Sequence, residues 1–494
     1  MTEASGPEPA VELDHEAIGF VDALVIGLAS TAPAYSLAAV IGTVTVVVGV
    51  YAPAALLTSF VPMFLIAAAF YYLNKADQDA GTTFSWVTRA LGPFAGWLGG
   101  WAICTTGILV VGSLADVGAR YSYLLVGWES AAESKAAVMI LAVAIIVLTT
   151  AICIIGTELS ARVQNVMIVG QIGALLIFAG AALAKVYSGD APEGSIRPSA
   201  EWLSPFAIDG FTPLVSSLLI GVFIYWGWES AVNLTEETRD SARAPGLAAV
   251  VSTVLLLVTY LSVTIAVVAF AGLERLAEFD DDDAVFSSLA GDALGSPWDK
   301  LVVLAIVTSA IASTQTTIIP SSRTSFSMAR QDALPSVFAR IHPRFRTPYI
   351  STAVVAALAI AWYVPANALS ENFLFDTLSA LSLLIAFYYA LTGIACAVYY
   401  RRQLFSSVRT FVFVGLAPLA GAAILAYLLV KSALDLANPD NSYSGQSLLG
   451  MGVPLAIALA FIILGIVILI LWRLAGHERF FGRRPFEHAA VAVE

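Results

Sequence analysis

Twelve apolar stretches divide this chain, near residues 18–50, 52–73, 94–125, 136–155, 159–187, 212–236, 245–272, 300–328, 349–366, 373–399, 410–432 and 450–473. Each has about 18 residues or more, the length at which an apolar run reads as a transmembrane helix. In hydrocarbon every backbone polar group must be paired inside the structure, which restricts spanning segments to helices and closed barrels. The expected fold is therefore an all-α membrane protein of about 12 transmembrane helices. Composition agrees: of 494 residues 59% are hydrophobic and only 12% charged, where a soluble domain carries about 25% charge.

The polar residues exclude several function classes. Cys104, Cys153 and Cys396 all fall inside apolar runs and suit packing rather than a disulfide framework. His15, His342, His477 and His488 fall in tails or loops, so neither a metal cluster nor a histidine proton relay is expected in the membrane. No nucleophile-elbow, Walker or dinucleotide signature occurs. No cofactor or nucleic-acid partner is expected. The net charge of −12 comes mostly from the tail before Ile18 and from loops such as Glu278–Val285, "EFDDDDAV". That aspartate run reads as a solvated loop, with a cation site as the lesser alternative.

Orientation follows from the basic residues. The first of them is Lys75, so the start is no ordinary signal peptide. With both termini cytoplasmic, 17 of the 24 lysines and arginines lie inside, and Arg120, Lys135, Lys185, Arg197, Arg275, Lys300 and Lys431 lie outside or near the outer ends. That asymmetry supports termini inside a cytoplasmic membrane.

Two spans are interrupted. The first carries Ala29, Ser30, Thr31, Ala32 and Pro33 near its middle. Proline in a helix interior removes a hydrogen bond and clashes with the preceding turn. The sixth reads "FIYWGWES" over Phe223–Ser230, with Gly227 between Trp226 and Trp228 and Glu229 at membrane depth. Interrupted spans at corresponding places in two halves point to a transporter binding site built from half-helix ends. Ser30 or Thr31 can cap the second half of the first span, whose free amides and positive dipole end suit a carboxylate. The carbonyls of Phe223, Ile224 and Tyr225 suit an ammonium. One ligand with both groups is an amino acid. Gly227 also reads as a helix-packing contact, and Glu229 as an internal tether.

Four stretches resemble the amino acid–polyamine–organocation superfamily of permeases, which has the leucine-transporter fold. They are Gly27–Ser36, "GLASTAPAYS"; Asp79–Trp101, "DAGTTFSWVTRALGPFAGWLGGW"; Phe223–Asp240, "FIYWGWESAVNLTEETRD"; and Ser321–Ser351, "SSRTSFSMARQDALPSVFARIHPRFRTPYIS". The resemblance covers roughly residues 18–475. It implies two five-helix inverted repeats at 18–187 and 212–399, joined by an extracellular loop at 188–211. Two further helices at 410–473 and cytoplasmic tails at 1–17 and 474–494 complete the chain. Departures are visible. Gln78 and Thr82 stand where the family commonly has Pro and the second Gly of Pro-x-x-Gly-Gly, and Ala29-Ser30-Thr31 replaces Gly-Ser-Gly. Gln171 stands where some relatives carry a lysine in the fifth helix, so a lysine-based coupling route is absent.

Other intramembrane polar residues keep two readings. Asp116 and Arg120 are four apart on one helix face, as an internal ion pair or with Asp116 as a diamine ligand. Thr106 and Gly107, with Thr105, lie at the depth where relatives line the pocket. Ser309, Ser313 and Thr314 are weak sodium candidates or packing hydroxyls. Tyr225, Trp226 and Trp228 offer rings to an ammonium or fill the core, and at least one is expected to face the pocket.

The reading is a secondary transporter moving an amino acid by alternating access, proton-coupled with Glu229 as coupling candidate, or an exchanger. Alternatives are an amine or polyamine permease, needing a pocket acid such as Asp116 or Glu229, and a sodium-coupled symporter. A membrane enzyme lacks convergent nucleophile, base or metal residues at membrane depth. A channel would reveal itself by its rate. The sequence leaves the substrate side chain and the oligomeric state open.

Overall fold

The computed structural model of the chain describes residues 12–278, 285–369, 371–442 and 444–485. Asp280, Asp281, Asp282 and Asp283 of the aspartate run lie outside these residues, as do 1–11 and 486–494 of the expected tails. The first half holds α1 (Phe20–Ser30), α2 (Pro33–Val48), α3 (Ala52–Ala76), α4 (Thr83–Leu91), α5 (Pro93–Leu125), α6 (Lys135–Ile155) and α7 (Thr157–Ser188). There follow α8 (Phe211–Ile224), α9 (Ser230–Asn233), α10 (Ala244–Ala277), α11 (Val285–Leu294) and α12 (Lys300–Arg330). The chain continues with α13 (Tyr349–Leu369), α14 (Glu371–Tyr399), α15 (Ala417–Asp435) and α16 (Val453–Leu474). A two-stranded ribbon, Ser447–Leu448 against Met451–Gly452, precedes α16.

Each of the twelve expected segments holds helix, the first and sixth with an interruption. Ten stretches among the described residues are long and apolar enough to cross a membrane. The first of these, Phe20–Ala76, contains α1, α2 and α3, while Phe211–Ile224 is shorter. Proline punctuates the starts: α2, α3, α5, α10, α15 and α16 each carry one in their first two positions, where the missing N–H has no intrahelical partner to lose.

Two helices form the centre. The most apolar windows of α5 and α12 are 83% buried, against 39% for α6 and α7 and 33% for α16. The central pair runs antiparallel along a seam of small residues. A Cβ on Gly100 would stand 2.8 Å from Met328 Sδ, Cys104 Sγ lies 3.2 Å from Ser325 Oγ, and a Cβ on Gly118 would meet Ile311 Cγ1 at 3.3 Å. Between them Gly107 packs on Ser321 so closely that a Cβ would overlap the serine hydroxyl. Small residues let helix backbones approach where hydrophobic burial gives little drive between helices in lipid.

At the end of the bundle where α1 begins, charged groups are paired, one pair buried and one nearer the surface. Arg323 of α12 forks onto Glu237, with Nε 3.1 Å from Oε2 and Nη2 3.0 Å from Oε1, and Nη2 also donates to Thr157 Oγ1 at 3.2 Å. The two side chains are 1% and 0% exposed. Arg330 forks onto Glu236 at 2.7 and 2.5 Å, and Glu236 Oε1 also accepts the Ala80 N–H at 2.9 Å. A strap formed by residues 12–18 crosses the same end. The Ile18 N–H donates to the Glu237 carbonyl at 3.1 Å and the Arg239 N–H to the Ile18 carbonyl at 2.9 Å. The ring of His15 lies 2.9 Å from the Glu236 carbonyl, and Arg346 Nε donates to the Glu12 carbonyl at 3.1 Å.

Candidate functional site

The first break is short. Helix α1 runs through Ala29 and Ser30; Thr31 keeps helical angles, and Ala32 takes the left-handed conformation, φ 48° and ψ 60°. Pro33 then opens α2 at its first position. The proline therefore sits where it costs no hydrogen bond, and the turn at Ala32 redirects the chain. Neither Ser30 nor Thr31 caps α2, contrary to expectation. The Thr31 hydroxyl bonds back to the Leu28 carbonyl at 2.7 Å, as a threonine at a helix end readily does. The Ser30 hydroxyl meets Ser230 Oγ at 2.7 Å across the bundle.

The second break spans Tyr225–Glu229, between α8 and α9. Gly227 has φ +119°, and a Cβ there would stand 2.6 Å from the Ser30 carbonyl oxygen and 3.0 Å from the Thr31 nitrogen. Only glycine combines that angle with that approach. The two interruptions therefore touch through main chain. The Ile224 carbonyl, ending α8, accepts the Tyr260 hydroxyl at 2.7 Å, and the Phe223 carbonyl accepts the Trp226 N–H at 3.0 Å.

Glu229 is 3% exposed and lies within the second break. Its Oε1 accepts the Tyr388 hydroxyl; its Oε2 accepts the Tyr389 hydroxyl at 2.5 Å and the Gly227 N–H at 3.1 Å. This is the tethering arrangement. A buried carboxylate with three donors is compensated without a cation. Tyr388 and Tyr389, adjacent on α14, went unnoticed in the sequence; two tyrosines side by side in an apolar span were the available signal.

A small cavity sits where the broken segments meet, lined by Ser30, Thr31, Ala32, Tyr35, Ser36, Val110, Leu114, Phe223, Trp226 and Ser313. Five expected residues, Ser30, Thr31, Ala32, Phe223 and Trp226, are in this wall. Tyr225 and Gly227 belong to the second break, and Ala29, Pro33 and Ile224 to the helix ends beside the breaks, but none of them is in the wall. Tyr225 packs on Tyr260 and Phe60, and Trp228 on Phe70 and Tyr389, so Trp226 alone of the three aromatics faces the cavity. Thr106 and Gly107 are absent from the wall. Thr106 bonds the Ala102 carbonyl of its own helix at 2.6 Å, and Gly107 is consumed by the packing on Ser321. Val110 and Leu114, one and two turns further on from Thr106, take that place. Tyr35 and Ser36, in the first turn of α2, are also in the wall, and the helix start after Pro33 was the signal for them.

The serines of α12 are drawn to the first break. The Ser313 hydroxyl donates to the Ser30 carbonyl at 2.9 Å, and Ser309 Oγ accepts the Tyr35 N–H at 3.4 Å. Thr314 instead bonds the Ala310 carbonyl of its own helix at 2.8 Å. Asp116 accepts the Tyr363 hydroxyl and the Asn367 amide, the latter at 2.8 Å, so its carboxylate is engaged with α13. It comes two residues after Leu114, on the far side of α5 from the cavity. Gln171 is fully buried, and neither end of its amide has a hydrogen-bond partner among the described residues.

Comparison with known proteins bears on this arrangement. A family model described as amino acid permease matches residues 18–459. The chain is 24% identical to a methylthioribose transporter of Bacillus subtilis, over 67% of this chain and 72% of that protein. A branched-chain amino acid permease of the same organism is 25% identical, over 72% of this chain and 76% of its own. Its serine/threonine exchanger is 22% identical, over 65% and 69% respectively.

Proposed function

This chain belongs to the amino acid permease family, and from that premise we propose that it moves a neutral amino acid across the cytoplasmic membrane by alternating access. It is a multi-pass membrane transporter rather than an enzyme. The observation that carries the substrate reading is the cavity wall. It joins the ends of two broken helices and, among the described residues, contains no Asp, Glu, Lys, Arg or His. A zwitterion can satisfy its carboxylate on the amides opening α2 and its ammonium on the carbonyls ending α1 and α8, leaving a side chain that must be uncharged. A diamine would need a cavity acid, and Asp116 and Glu229 are both outside the wall.

Residues 18–187 and 212–399 are then the inverted repeats, with both termini cytoplasmic. For coupling, Glu229 is held as an acceptor by three donors and Gln171 cannot titrate. These features favour exchange for a second amino acid over proton symport. Proteoliposomes test this directly. Labelled neutral amino acids should enter faster when unlabelled amino acid is trapped inside. Uptake that needs a proton gradient and ignores internal substrate would overturn the exchange reading.

A second reading has its own support. The methylthioribose transporter shows that a relative acts on an uncharged sugar derivative, and an uncharged wall suits such a molecule too. Competition by the amino acid but not its methyl ester or amine separates the two, since only the zwitterion reading requires the carboxylate.

A further inference from the structure

One directed hydrogen-bond chain leads out of the cavity wall. Trp226, whose side chain faces the cavity, donates its indole N–H to the Tyr388 hydroxyl oxygen; Tyr388 donates its own hydrogen to Glu229 Oε1. The directions follow from chemistry. Indole nitrogen only donates and a carboxylate only accepts, so the hydroxyl between them must accept from one and donate to the other. Glu229 is itself fixed by Tyr389 at 2.5 Å and by the Gly227 N–H at 3.1 Å. Trp226 lies in the non-helical turn, one residue before a glycine at φ +119°. The bond to Tyr388 ties the ring to the Glu229 cluster.

Resting on the amino acid reading above, we infer that Tyr388 is a positioning residue. Through Trp226 it holds one wall of the cavity in place and thereby sets the largest side chain that is carried. Tyr388 is not in the wall itself, so it acts on selectivity without touching substrate.

The test uses the full-length protein in proteoliposomes, comparing transport efficiency for alanine, leucine and phenylalanine. Tyr388→Phe should shift the ratio of large to small substrate by about tenfold towards the large one, the scale of a one- or two-carbon change in a pocket. Trp226→Phe, which keeps a ring but loses the N–H, should shift the ratio the same way while leaving the Tyr388–Glu229 bond. The double variant should show no further shift beyond Trp226→Phe, because the second change acts through the first. Loss of all three uptakes in equal proportion, or an unchanged ratio in both single variants, overturns the proposal. Should Tyr388→Phe not fold, Tyr388→Leu, which also removes the acceptor without touching the wall, decides. Wild-type protein that carries none of the three amino acids overturns the substrate reading and this inference together; wild-type transport with an unmoved ratio overturns this inference alone.

Discussion

Replacing Gly227 by alanine strikes the contact that joins the two broken helices. An added Cβ would stand 2.6 Å from the Ser30 carbonyl oxygen, 2.7 Å from its carbon and 3.0 Å from the Thr31 nitrogen. All three neighbours are main chain and cannot rotate away. Ordinary contact begins near 3.4 Å, so the segments must part by roughly 0.8 Å or strain against each other. Overpacking of this kind costs about 1–3 kcal/mol, and a left-handed alanine costs about 1–3 kcal/mol more. Part of that total lowers stability; the rest displaces Ser30 and Thr31, which line the cavity. If about 1–3 kcal/mol reaches the site, transport efficiency falls ~5–150-fold. Uptake into proteoliposomes, normalised to reconstituted protein, measures the loss, and thermal melting in detergent measures the remainder. Gly173→Ala is the control, since a Cβ there meets nothing within 4 Å. Uptake and melting of Gly227→Ala both equal to wild type would refute the reasoning.

Three further outcomes follow from the described contacts. Glu229→Gln cannot accept at both ends of its side chain, so it should lower thermal stability by about 1–3 kcal/mol yet leave the pH profile of uptake unchanged; a flattened profile would make Glu229 the coupling residue. Arg323→Ala leaves Glu237 buried without its partner and should cost about 3–5 kcal/mol, read as a lower melting temperature, and Arg323→Met with Glu237→Met should recover most of it. Asp116→Asn should keep uptake of neutral amino acids, because the carboxylate faces Tyr363 and Asn367 rather than the cavity; loss of that uptake in a folded protein would favour a diamine substrate.

Span positions and the two interruptions were legible because membrane helices announce themselves by length and because glycine and proline are costly in their interiors. The wall of the cavity was only partly legible. Placing Thr106 in it chose the right face of α5 but the wrong depth, since the crossing of α5 and α12 is set by Gly107 against Ser321 and only Val110 and Leu114 lie beyond it. Capping by Ser30 or Thr31 failed because each hydroxyl had a nearer acceptor or partner, the Leu28 carbonyl for one and Ser230 for the other. The partners of Glu229 were out of reach for a different reason. Tyr388 is 159 residues away along the chain, and no local pattern links it to a carboxylate in another span.

The strap at residues 12–18 bears on which substitutions the protein tolerates. Its two central links, from the Ile18 N–H to the Glu237 carbonyl and from the Arg239 N–H to the Ile18 carbonyl, run from main chain to main chain. Side-chain identity at position 18 does not enter either bond. The side chain is fully buried among apolar neighbours, so substitutions that fit those surroundings keep the tie between the start of the chain and the segment after α9. Proline is the exception, because it has no N–H to give. A mutational scan of position 18 should divide in three: apolar residues of similar size keep both the packing and the tie, polar or oversized ones lose the packing, and proline loses the donor.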